Sequence, residues 1–176
     1  MNRIRSIATV GAAVLSGCAT TRTLTVGSHF DPAEVAWFQH DGTNTIRGNA
    51  LLRTVSGEVR TCAGLPANLT PVSTYARERM HLLYGDRDNG LLSASRGRVA
   101  FASTDPEYQR MSRHTRCDSQ GNFTFSALPD GDYFVTALVV WGVPLNAFMT
   151  ATQGGYLMQR VHVAGGGVKE IVLTAQ

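Results

Sequence analysis

Apolar residues in this chain recur mostly at every second position, in short bursts separated by Gly, Pro, Asn and Asp. That is the spacing of half-buried strands. Phe123 and Phe125 alternate with polar neighbours, and comparable runs span Thr45 to Thr54, Gly57 to Cys62 and Ala67 to Val72. A further strand is predicted from Tyr133 to Trp141. It is entered through Pro129-Asp130-Gly131, where Pro sets φ early in a turn and Gly relieves the later position. The last two runs, Tyr156 to Val163 and Val168 to Leu173, flank Ala164-Gly165-Gly166-Gly167 and predict a terminal hairpin. Many short strands with turn residues between them point to a mainly β fold, a single antiparallel β-sandwich.

Helical signals interrupt the pattern. Asp31-Pro32-Ala33-Glu34 places Asp at a cap, Pro at the first helical position and Glu three residues after the cap. The short helix carries Ala36, Trp37 and Phe38, and Trp37 is expected to pack onto the domain. Thr74 to Tyr84 has helical spacing, with Tyr75, Arg79 and Leu82 able to share a face, and Asp105-Pro106-Glu107 opens another turn. Asp86 to Gly97 is polar and contains Gly, which predicts a surface loop. The fold class is therefore an Ig-like or transthyretin-like antiparallel sandwich with one or two short helical insertions.

The chain begins differently. Arg3 and Arg5 precede an uncharged stretch from Ile7 to Leu15, and Leu15-Ser16-Gly17-Cys18 follows. A basic start, a short apolar run and small residues at a cut site describe a secretory signal peptide. These four residues resemble a bacterial lipobox. The resemblance implies a diacylglycerol on the Cys18 sulfur, removal of residues 1–17 and acylation of the new amino terminus, so that the protein is a lipoprotein. Ala19 and Thr20 stand where Asp is absent, which in that family implies outer-membrane sorting, facing the periplasm, with surface exposure left open. The apolar run is shorter than the roughly 20 residues a bilayer-spanning helix needs. Anchorage by acyl chains, not a spanning helix, is the expectation. The expected organisation is a signal peptide over 1–17, a flexible Thr- and Ser-rich tether over 18–29 and the sandwich over 30–176.

The 176 residues suffice for one domain. Formal charge is +3, and loss of Arg3 and Arg5 with the leader brings it to +1, which gives no basis for nucleic-acid binding. With Cys18 lipidated, Cys62 and Cys117 are an even pair in an oxidising compartment, read as a disulfide, the alternative being two buried free thiols. No Cys-x-x-Cys is present.

Asp118-x-x-Gly121-x-Phe123-x-Phe125-x-x-Leu128-Pro129-x-Gly131-x-Tyr133 resembles the carboxypeptidase regulatory-like, or transthyretin-like, β-sandwich. Gly48 to Thr54 is similar to that family's first strand, and Ala67-Asn68-Leu69-Thr70-Pro71 to its second core strand; the likeness covers most of 48–140. It implies fold and is almost silent on activity. Thr74 to Ser112 departs from the compact pattern, and a special function is expected to lie there.

Enzymes on this kind of sandwich leave signatures that are absent. No His has Glu at the His-x-x-Glu distance, no His-Glu-x-x-His occurs, and the chain has neither a Gly-x-Ser-x-Gly elbow nor a phosphate loop. Only a triad built from a Ser, His114 and Asp118 stays open, as an uncharacterised hydrolase. No catalytic residue, metal or cofactor is assigned. The candidate binding surface is Trp141, Phe148 and Tyr156 with the loop Gly142 to Gly155. Its structural alternative is that Trp141 closes the sandwich end and Phe148 tucks beneath its own loop. The leading expectation is a lipid-anchored interaction or scaffold module, with the membrane as one partner through Cys18 and an envelope protein as another. The alternative is a ligand- or carbohydrate-binding module using the 141–156 aromatics.

Overall fold

The computed structural model describes residues 21–85 and 88–175, so Cys18 and the lipobox lie outside the described residues. In chain order the strands are β1 (Thr21–Leu24), β2 (Asn44–Arg53), β3 (Val59–Thr61), β4 (Pro66–Pro71), β5 (Asn89–Ser93), β6 (Arg98–Phe101), β7 (Arg113–Arg116), β8 (Asn122–Leu128), β9 (Gly131–Asn146), β10 (Met149–Val163) and β11 (Val168–Leu173). Helix α1 spans Thr74–Tyr84 and α2 spans Pro106–Arg110; 3-10 segments cover Pro32–Gln39 and Ala94–Arg96.

One antiparallel sheet has the order β5-β10-β9-β4-β7. The other is built around β2, which pairs with β11 in parallel along one edge and with β8 and then β3 antiparallel along the other. Strand alternation turns Ile46, Ala50 and Leu52 of β2, Phe123 and Phe125 of β8, and Ile171 and Leu173 of β11 toward Leu69 of β4, Val135, Ala137 and Val139 of β9, and Leu157 and Val161 of β10. These side chains form the sandwich core. The opposite face of the five-stranded sheet offers Phe134 and Met158, and Phe30 together with Val35 of the first 3-10 segment, Tyr75 and Ala76 of α1 and Tyr108 of α2 covers them. The protein is thus mainly β, an antiparallel sandwich with short helices laid on one face.

Caps explain the helices. Ser73 accepts from the Ala76 amide at 3.1 Å and starts α1, and Gly85 ends it; Asp31 accepts from Ala33 at 2.9 Å in front of Pro32. Trp37 packs edge-on against Tyr133, ring centroids 5.5 Å apart, as the sequence pattern anticipates.

The two crossovers between sheets, β3 to β4 and β7 to β8, run side by side. The Cys62–Cys117 disulfide joins them with Cα atoms 5.8 Å apart, and Cys117 and Leu65 add a backbone bond of 3.0 Å. The disulfide reading is therefore correct and the free-thiol alternative is not.

Three expectations are corrected. Val168–Leu173 does not form a hairpin with β10. The glycine turn at 165–167 instead carries the chain to the other sheet, because Ile171 and Leu173 complete the core beside β2. The segment 86–97 is not only a loop: Asn89–Ser93 pairs with β10, and its half-buried Leu91 and Leu92 repay the ordering. The expected tether has structure from Thr21, which pairs in register with Arg98, and Leu24 is buried.

Glu78 of α1 holds the end of that segment. Its carboxylate accepts from the Ser28 hydroxyl at 2.6 Å, the Gly27 amide at 2.6 Å and the Ser28 amide at 2.9 Å. These bonds, the Ser28 hydroxyl first, hold the Glu78 carboxyl below the usual glutamate range. Because the folded value is depressed, the stabilisation is complete above the ordinary glutamate pKa and is lost as pH falls through the lower folded one. Hydrogen exchange at Gly27 and Ser28, relative to the core amides, is expected to rise on acidification in that window. Glu78→Gln is expected to raise it already at neutral pH and to flatten the pH response; an unchanged pH response in that variant would contradict the assignment.

Candidate functional site

The β9–β10 hairpin organises the candidate surface. Trp141 lies opposite Gln153 and Tyr156 opposite Leu138, so the period-two alternation puts Trp141 on the core face of the sheet and Tyr156 on the helix-covered face. Phe148 sits at the hairpin tip. The three aromatics singled out in the sequence therefore do not form one platform. Trp141 packs against the edge of the core, as the structural alternative holds, whereas Phe148 is 98% exposed and does not tuck beneath its loop.

Two clefts result, one on each face. On the core side Trp141, Gln153 and Gly154 line about 280 Å³ together with Leu52, Arg53 and Val55 of the β2–β3 end. On the other side Tyr156, Thr152, Leu138 and Val140 line about 380 Å³, walled by Leu92, Ser93, Arg98 and Val99. Ser93 borders both, so the end of β5 is the partition between them. Its close approach depends on glycine: a Cβ at Gly155 would lie 2.0 Å from the Leu92 carbonyl oxygen, and Gly154 has φ +89° with its Cβ position 2.0 Å from the Val139 oxygen. The expected loop Gly142 to Gly155 is thus mostly strand, with only Ala147 and Phe148 between β9 and β10, and the Gly154-Gly155 pair is a close-packing device inside β10.

The Tyr156 cleft combines an apolar floor, Leu138 and Val140, with a tyrosine that is 38% exposed and with Arg98, Ser93 and Thr152 among its lining residues. Tyr84 supports it from α1, its hydroxyl donating to the Tyr156 carbonyl at 3.4 Å. Burial raises the Tyr84 phenol well above its ordinary range, which keeps it a neutral donor. Thr152 falls within the Gly142 to Gly155 span singled out in the sequence, whereas Ser93 and Arg98 were not legible as site residues. The only signal toward them is the departure of Thr74 to Ser112 from the compact pattern, since this insertion builds the wall.

A third groove, of about 340 Å³, crosses the outer face of the β2 sheet between Arg47, Asn49, Asn122, Thr124 and Glu170, without an exposed aromatic ring. The hydrolase candidates are not assembled. His114 Nδ1 lies 2.8 Å from the Asn68 side-chain oxygen, and the Asp118 carboxylate accepts from the Asn122 and Gln120 amides at 2.8 Å. Those bonds, from Asn122 first, hold its carboxyl low. Among the described residues no three His, Cys, Asp or Glu side chains gather where they could hold a metal ion, and no helix is long and apolar enough to cross a membrane.

Architecture and site together define an antiparallel β-sandwich with an insertion-walled cleft on one sheet face. Among solved structures the chain is similar to one from Pseudomonas aeruginosa described as a "putative carbohydrate binding protein", with a TM-score of 0.71 and 25% identity. The match covers 84% of this chain and 98% of that one. No family model matches the chain, and no curated protein matches it.

Proposed function

We propose that this chain is a non-enzymatic carbohydrate-binding module of the bacterial cell envelope, tethered through lipid on Cys18 and receiving a sugar ring in the Tyr156 cleft. The observation that carries it is the partly exposed Tyr156, which shares one cleft with Arg98, Ser93 and Thr152 over an apolar floor. A sugar presents a C–H face that stacks on an aromatic ring and a rim of hydroxyls that bond to guanidinium and hydroxyl groups, so this pairing suits it. The cleft's 380 Å³ falls in the range of small-ligand sites, roughly 300 to 1,000 Å³. The description of the similar Pseudomonas aeruginosa protein supports the same ligand class over the scaffold role and over a hydrolase. The tether rests on the Leu15-Ser16-Gly17-Cys18 motif, and outer-membrane location on Ala19 and Thr20 after it.

Titration calorimetry against saccharides of the envelope tests this reading. Tyr156→Ala and Arg98→Ala are each expected to weaken binding about tenfold or more without lowering the melting temperature, while Phe148→Ala leaves it unchanged. Binding that survives Tyr156→Ala and is lost in Trp141→Ala would move the site to the opposite cleft. Absence of binding to any saccharide would end the proposal.

A further inference from the structure

The distal part of the β9–β10 hairpin projects from the sandwich and carries no charge. From Tyr133 to Gln159 there is not one Asp, Glu, Lys or Arg. Beyond the Trp141–Gln153 pair the strands run on for about 17 Å at the usual strand rise. They end in Leu145, Phe148 and Met149, which are 62%, 98% and 58% exposed. Val55, fully exposed on the turn beside Trp141 and Gln153, belongs to the same end of the molecule. A cluster of this kind on a soluble surface marks an interaction site.

What covers it follows from where the chain enters the domain. Thr21 pairs with Arg98, and Arg98 lines the cleft at the level of Thr152 and Val140, on the tipward side. The other end of the same strand pair lies toward the hairpin base, where Phe101 stacks on Arg79 of α1. Strand β1 thus starts pointing toward the tip. Cys18 is three residues before Thr21, at most about 11 Å of extended chain. An acylated Cys18 would bring a bilayer surface to the same end that carries the apolar tip. Arg53 lines the core-side cleft at the level of Trp141 and Gln153 and Arg98 the opposite cleft, both are exposed, and neither forms an ion pair among the described residues. An apolar tip above a cationic collar is complementary to a lipid surface with anionic headgroups.

We infer that Leu145, Phe148 and Met149 insert into the lipid surface that holds the Cys18 acyl chains, so that the domain is fixed at two points with its hairpin toward the bilayer. The orientation, though not the tip's affinity for lipid, rests on the tether reading above. Insertion by 5 to 10 Å, the usual depth of an interfacial element, matches the difference between the reach of the tether and the length of the overhang.

The test uses the full-length protein in vesicles of phosphatidylethanolamine and phosphatidylglycerol, a fraction of them with brominated acyl chains. Fluorescence from Phe148→Trp, after subtraction of the parent's Trp37 and Trp141 signal, is expected to fall about twofold. Val168→Trp, at the opposite end, is expected to keep its signal. In the unacylated Cys18→Ser protein, weak binding to plain vesicles is expected to remain, to diminish with salt and to drop about tenfold or more in the combined Leu145→Ser, Phe148→Ser, Met149→Ser variant. Equal quenching at both positions, or none at Phe148→Trp, would overturn the inference. So would conversion of a dimer to a monomer by Phe148→Ser with vesicle binding unchanged, since the tip would then be a contact between copies. An intact mass without lipid would remove the tether reading, while the Cys18→Ser vesicle data would still decide the tip.

Discussion

Replacing Cys62 and Cys117 together by alanine is expected to lower the free energy of unfolding by about 4 kcal/mol, the chain-entropy value for a loop of 55 residues. In a domain of this size that corresponds to a fall in melting temperature on the order of 10 °C. The effect is large because the bond joins two crossovers that each pass between the sheets: without it, β3 to β4 and β7 to β8 are held at this point by the Cys117–Leu65 and Gly64–Cys117 backbone bonds. Urea and thermal unfolding of the double variant and of the reduced parent should agree. A loss below about 1 kcal/mol would mean that the crossovers are held independently of the bridge.

Asn44→Ala is expected to cost about 3 kcal/mol, because it removes four hydrogen bonds made by one buried side chain, one of them to a carboxylate. Asn44 is 1% exposed. Its amide nitrogen donates to the Leu128 carbonyl at 3.0 Å and to the Asp130 carboxylate at 2.8 Å, and its oxygen accepts from the Gly166 and Gly167 amides at 2.9 and 3.3 Å. Asp130 in turn accepts from Gly165 at 3.1 Å. One side chain thereby ties the β8–β9 turn to the β10–β11 turn. Asn44→Asp would set a second carboxylate against Asp130 and is expected to destabilise more than alanine at neutral pH, with the excess shrinking on acidification as one of the pair takes a proton. Denaturant melts across pH separate the two variants, and an excess that grows toward low pH would contradict this account.

The parts of the fold legible in the sequence are those governed by local rules. Alternation located β2, β4 and β8, helical spacing from Thr74 to Tyr84 located α1, the Asp31 cap located the first 3-10 segment, and cysteine arithmetic found the bridge. Pairing partners were less accessible. Val168 to Leu173 reads as a hairpin strand because Ala164 to Gly167 is a fitting turn, and nothing local distinguishes a turn that folds back from one that crosses to another sheet. Asn89 to Ser93 reads as a loop because its strand character is supplied by β10, not by its own composition. The site was legible only as a region. Trp141 and Tyr156 were found by residue type, but their parity on the hairpin sets them on opposite faces, and Arg98 reaches the cleft through an insertion whose path depends on tertiary packing.

The parallel pairing of β11 with β2 has a kinetic consequence. Asn44 bonds to an amide 122 positions later, and Ile171 and Leu173 fill the centre of the core. Contacts so distant along the chain cannot form until almost the whole polypeptide is available, and they make loop closure the slow step. A nascent chain lacking its last strand keeps one edge of β2 open and its core unsealed. It should therefore stay unfolded and threadable through a narrow channel until residue 173 has been synthesised.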